Sequence, residues 1–152
     1  MSRPRTLRVR EVAAAGVIVD ASIAVKWWAP EAGSASAVRL LEGTWRLVAP
    51  DLMVAEAANT WWDKHRMGEM ARADVETAVS RLCAIGIDWV PSARVLAPAA
   101  RLALDVQHPV YDCVYLVTAR EQGLPLATDD RWLRRTARSM GIAVYPTSRG
   151  TS

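Results

Sequence analysis

The stretch Gly16-Val17-Ile18-Val19-Asp20-Ala21-Ser22 decides the fold class. A short, wholly apolar run is what a strand buried on both faces looks like, and here it stops at an acid. The same device recurs late in the chain, where Pro125-Leu126-Ala127-Thr128 runs into Asp129-Asp130. Between and beyond these strands lie further short apolar segments, each separated from the next by a helical pattern. That alternation predicts a three-layer α/β/α domain, in which a short, mostly parallel central sheet is flanked by helices.

Outward from Asp20, the pattern predicts a helix over Ile23 to Trp28, a break at Pro30 and a helix over Gly33 to Leu41. A strand follows at Arg46-Leu47-Val48. Asp51 is placed to cap a helix running to about Met67. Arg72 to Ile85 forms the next helix, and Gly86 stops it before the strand Asp88-Trp89-Val90. Helices near Leu96 to Asp105 and Val110 to Gln122 lead to the strand at Pro125. A helix over Asp130 to Met140 and a strand over Ile142-Ala143-Val144 close the pattern.

With 152 residues, 51% of them hydrophobic, the chain suits one domain that buries most of its core. The expected division is an extension over residues 1–15, a domain over 16–146 and a tail over 147–152. The apolar runs are far shorter than the roughly 20 residues that span a bilayer. Arg3, Arg5, Arg8 and Arg10 resemble the start of a signal segment, but the apolar stretch behind them ends at Asp20, so no export signal is expected. Cys83 and Cys113 have neither zinc-motif spacing nor the number of a disulfide framework, and both are expected as buried thiols in a reducing cytoplasm. The formal net charge of +3 is compatible with a polyanionic partner but does not require one.

In open parallel sheets the reactive groups gather beyond the carboxyl ends of the strands. Asp20, Asp129 and Asp130 stand there. Glu56 lies in a helix among Leu52, Met53, Val54, Ala55, Ala57 and Ala58, so its side chain is expected to face protein. Asp112 falls in the first turn of a helix and is followed by the apolar run Cys113 to Val117. Each acid also has an ordinary structural role open to it, as a cap or a partner of a helix N-terminus. If they converge, a pair about 4 Å apart repels by roughly 4 kcal/mol at an effective dielectric near 20. A divalent cation would compensate that repulsion, and an all-oxygen donor set favours Mg²⁺ or Mn²⁺. His65 and His108 are expected in surface or capping roles.

Four segments then resemble, in order, the acidic motifs of PIN-domain ribonucleases: Val17 to Ser22, Pro50 to Glu56, His108 to Asp112, and Leu126 to Asp130. The similarity extends over residues 17 to 145 and is nearest to toxins of the VapC type. It implies that Asp20, Glu56, Asp112 and Asp130 are the catalytic and metal-binding acids, with Ser22 and Thr128 as polar supports. Asp129 is an additional acid at a position usually neutral, and Asp130 is preferred to it as the fourth. The resemblance further implies a Mg²⁺-dependent endoribonuclease that uses activated water and no covalent nucleophile. Single-stranded or looped RNA is the implied substrate, a VapB-like antitoxin the implied partner, and a homodimer the implied assembly.

Housekeeping RNA processing, or a metal-free module that binds RNA or a partner, are the alternatives. A phospho-acceptor receiver is opposed because the acidic pair comes late rather than after the first strand. A phosphatase of the haloacid dehalogenase kind is opposed because Ala21-Ser22-Ile23-Ala24 supplies no second Asp after Asp20. Arg131, Arg134, Arg135 and Arg138 recur at helical spacing, as an RNA-binding stripe or a solvated face. Lys26 and Arg66 are further candidates for phosphate contact. Of the pairs Trp27-Trp28 and Trp61-Trp62, one member is expected in the core and the other at an interface.

Overall fold

The computed structural model of the chain describes residues 15–29 and 31–145. The expected tail, the break at Pro30 and the expected extension, save Ala15, lie outside the described residues. Strands β1 (Gly16–Val19), β2 (Arg46–Pro50), β3 (Asp88–Val90), β4 (Leu126–Ala127) and β5 (Val144–Tyr145) form one sheet in the order β3-β2-β1-β4-β5. Every pairing is parallel, with Ile18 opposite both Val48 and Leu126. Val17, Ile18 and Val19 are fully buried, as a central strand covered on both faces requires.

Helices α1 (Ala21–Ala24), α2 (Ser34–Glu42), α3 (Leu52–Arg66), α4 (Arg72–Ala84), α5 (Ser92–Val106), α6 (Val110–Gln122) and α7 (Arg131–Ser139) connect the strands. The largely apolar helix α6 lies on β1, β2 and β4, and α5 packs against α6. On the other elements, α1 and α4 both pack against α3. The consequence for function is topological. The chain leaves β1 for β2 on one side and returns to β4 on the other, so a crevice opens between the carboxyl ends of β1 and β4.

Several local expectations are corrected. The first helix is one turn long and tightens into a 3₁₀ turn at Val25–Trp27. The helix expected from Leu96 begins at Ser92 and carries Pro98 inside it, the residue that obscured its early turns in the sequence. Asp51 occupies the N-cap position of α3, as expected, but its side chain makes no capping bond there. Its Oδ1 accepts instead from the Ser92 N–H at 2.9 Å and the Ser92 hydroxyl at 2.5 Å, and these bonds hold its carboxyl below the usual range. Cys83 is exposed and only Cys113 is buried, because α4 packs through Ala78 and Leu82 and turns Cys83 outward.

The paired tryptophans divide as their helical spacing demands. Trp27 and Trp61 enter the core, where their indole N–H groups donate to the carbonyls of Ala37 at 2.8 Å and Val25 at 3.2 Å. Trp61 is 0% exposed and its neighbour Trp62 is 53% exposed. Trp61→Ala should therefore cost about 3–5 kcal/mol in denaturant unfolding. Trp62→Ala should stay within about 0.5 kcal/mol of the parent protein.

Candidate active site

Asp20 is the residue on which the crevice is built. It follows β1 directly and caps α1, its Oδ1 accepting from the Ile23 N–H at 3.3 Å and the Ser22 hydroxyl at 2.6 Å. Its Oδ2 accepts from the Thr128 hydroxyl at 2.5 Å, across the gap from β4. The Asp20 N–H donates to the Ala127 carbonyl at 3.2 Å, so strand register delivers Thr128 to this carboxylate. Asp20 is 3% exposed, and among the described residues no basic side chain pairs with it. Burial pushes its carboxyl up to about 7 against the three hydrogen bonds that favour ionisation, and the Glu56 charge adds to the rise.

Glu56 approaches from α3 and is half-buried, as the apolar residues around it predict. The Tyr115 hydroxyl donates to its Oε1 at 2.6 Å. Burial raises the Glu56 carboxyl despite that bond, and the charge of Asp112 raises it further. Asp112 stands in the first turn of α6, one helical turn before Tyr115. Its Oδ2 accepts from His108 Nε2 at 2.6 Å. Asp20, Glu56 and Asp112 thus feel one another in series, although they come from three separate segments of the chain.

Thr128 also joins the fourth strand-end position to Asp20, because its Oγ1 accepts from the Asp130 N–H at 3.0 Å. The Asp130 carboxylate caps α7 through Oδ1, which accepts from the Leu133 N–H at 2.8 Å. Asp129 points elsewhere. Its Oδ2 forms an ion pair with Lys26, while its backbone N–H donates to the Ser22 hydroxyl at 3.0 Å. Glu56, Asp112 and Asp130 are each held through one oxygen by a partner of their own. Among the described residues, no three Asp, Glu, His or Cys side chains stand close enough together to hold a metal ion as placed.

The basic residues fall out differently from the sequence expectation. Lys26 is buried against Asp129, and Arg66 pairs with Asp63 and lies over the Trp62 ring. Both are already committed. Arg134 donates to the Thr128 carbonyl at 3.0 Å and so props the end of β4, whereas Arg131 and Arg135 are exposed on α7. His65 bonds the Met70 carbonyl at 2.9 Å, a local structural role. His108 does more than cap or cover surface: besides bonding Asp112 it stacks on Trp132, with ring centroids 3.4 Å apart. Its position four residues before Asp112 was the available signal. Tyr115 was hidden inside an apolar run, where nothing marks a hydroxyl that reaches a carboxylate 59 residues away.

A family model described as PIN domain matches residues 17–139. No curated protein matches the sequence. Among solved structures the chain is similar to PAE2754 from Pyrobaculum aerophilum, at 24% identity and a TM-score of 0.63, covering 87% of this chain and 88% of that one. It is also similar to VapC20 from Mycobacterium tuberculosis, described as a sarcin-ricin loop cleaving toxin, at 14% identity and a TM-score of 0.64. That match covers 79% of this chain and 94% of the other. FitAcB from Neisseria gonorrhoeae is similar at 17% identity and a TM-score of 0.56, with 84% and 95% covered. At these identities the likeness is one of fold.

The electrostatics of Asp20 set a pH dependence whose sign is fixed. Its folded carboxyl, near 7, lies above its ordinary value of 3.8, so the folded chain holds more protons than the unfolded chain between those two points. The contribution of Asp20 to stability therefore falls as pH rises through that window. Relative to Asp20→Asn, the parent protein should lose up to about 1.4 kcal/mol per pH unit between pH 4 and 7. Urea titrations of both proteins across that range measure the difference.

Proposed function

Because the chain belongs to the PIN-domain family, a family of nucleases, we propose that it is a metal-dependent endoribonuclease with Asp20, Glu56, Asp112 and Asp130 as its acids. The observation that carries this reading is the buried Asp20 carboxylate, coupled to Glu56 and through it to Asp112 in a strand-end crevice, and lacking a basic partner among the described residues. Such a group is costly unless a cation joins it. The donors are all oxygen, which suits Mg²⁺ or Mn²⁺, and the oxygens of Glu56, Asp112 and Asp130 that are not engaged by their own partners are the ones available to it.

When bound, a divalent cation supplies a Lewis acid and an activated water for phosphodiester hydrolysis. The residues of the chain do the rest. Ser22 and Thr128 hold both oxygens of Asp20 in place, so its carboxylate does not rotate away from the crevice. His108 fixes one oxygen of Asp112. Lys26 neutralises Asp129, which leaves Asp130 as the strand-end acid beyond β4. Arg131 at the start of α7 and Arg135 one turn later are both exposed, which supports a role for them in meeting phosphates on either side of the cut. The substrate is single-stranded or looped RNA, whose backbone reaches a recessed site more readily than a duplex does.

We assign the protein to the toxins rather than the processing enzymes, in keeping with its likeness to VapC20, a toxin, and the motif resemblance implies an antitoxin as partner and a second copy of the chain in the assembly. Among the described residues no helix is long and apolar enough to cross a membrane. Exposed Trp62, Met67, Leu104 and Tyr111 offer apolar area for these contacts.

Asp20→Asn and Asp112→Asn should each abolish Mn²⁺-dependent RNA cleavage while the far-UV spectrum and the unfolding transition remain. Full activity in either variant would sink the assignment. Asp130→Ala should lower cleavage by about 10- to 100-fold and Asp129→Asn by much less. A reversed order would make Asp129 the fourth acid. Mn²⁺ should also raise the thermal midpoint, and more at pH 8 than at pH 5, because the cation competes with the proton on Asp20.

A further inference from the structure

Tyr115 is 1% exposed, yet it carries a hydroxyl to the centre of the site. Two segments meet at that oxygen. It donates to Glu56 Oε1 on α3 at 2.6 Å, and it sits on α6 one turn beyond Asp112. A Phe would fill the same slot, so packing does not explain the hydroxyl. Glu56 has no other side-chain hydrogen bond among the described residues, and its long side chain would otherwise be free to choose between rotamers.

We propose that Tyr115 is a positioning residue, whose hydroxyl holds one oxygen of Glu56 and thereby turns the other toward Asp20 and Asp112 to complete the cation site. This rests on the nuclease reading above. A carboxylate ligand fixed by an outer hydrogen bond loses little freedom when the cation arrives, and removing such a partner characteristically weakens metal affinity or activity by about 10- to 100-fold. The hydroxyl never meets RNA. Its loss should therefore change the metal term and leave substrate binding alone.

The test is calorimetric titration of the full chain with Mn²⁺, alongside cleavage kinetics, for the parent protein and Tyr115→Phe. The expected result is Mn²⁺ affinity weaker by about 10- to 100-fold, kcat reduced at limiting Mn²⁺ and largely restored at saturation, and KM for RNA unchanged. In a Glu56→Gln background the Phe substitution should add little, because its effect passes through the carboxylate. Equal Mn²⁺ affinity in parent and Tyr115→Phe, or a Phe effect undiminished in the Glu56→Gln background, would overturn the proposal. An unfolded Tyr115→Phe chain would make the hydroxyl a requirement of the fold and overturn it likewise. A parent protein that takes up no Mn²⁺ would instead remove the nuclease reading itself, and the two failures are told apart by that control.

Discussion

The burial of one carboxylate at the end of β1 organises everything around it. Asp20 is buried among core residues, where an ionised acid without compensation is expensive. The fold answers with three hydrogen bonds, and each comes from a place that only this topology supplies. Ile23 offers a backbone N–H because a helix starts immediately, Ser22 offers a hydroxyl because it lies in that first turn, and Thr128 offers another because β4 is paired to β1 in register. Those bonds reduce the cost without cancelling it, as the raised carboxyl shows. What remains is a preference for the protonated form, and that residual cost is the ground on which a cation is proposed there.

This constraint explains why the strand-end acids were legible in the sequence. An apolar strand must stop where burial stops, and an acid at that point has to be solvated, capped or used. The strand at Gly16, the helix over Val110 to Gln122 and a mostly parallel sheet are all visible from period and punctuation. The helix-borne acid Glu56 was legible for the complementary reason, that nothing else in its stretch is polar before Asn59. What the sequence hid were interactions between distant segments. Asp51 looks like a cap for the helix that follows it, but Ser92, brought alongside by β3, offers it two donors in one place. Tyr115 reads as one more apolar residue until α3 is laid beside α6. Lys26 reads as a surface cation until Asp129 is found opposite. None of these pairings has a periodicity to betray it.

The site also shows how one fold accommodates an acid more than its pattern requires. Asp129 adds negative charge to an end of the sheet that already carries Asp20 and Asp130. Lys26 removes it locally, and the surroundings keep Lys26 in place. A side chain at Gly33 would bring its first carbon within 3.0 Å of the Lys26 ammonium, and the backbone there is left-handed at φ +84, so glycine satisfies both demands. Because the 3₁₀ turn that follows α1 is tight, Lys26 points back toward β4 instead of outward. Lys26 and Asp129 neutralise each other within the site, so the proposed nuclease assigns phosphate contact to the exposed Arg131 and Arg135 of α7 instead. The use of Lys26 to quiet a surplus acid follows from where its nitrogen is held and not from the net charge of the chain.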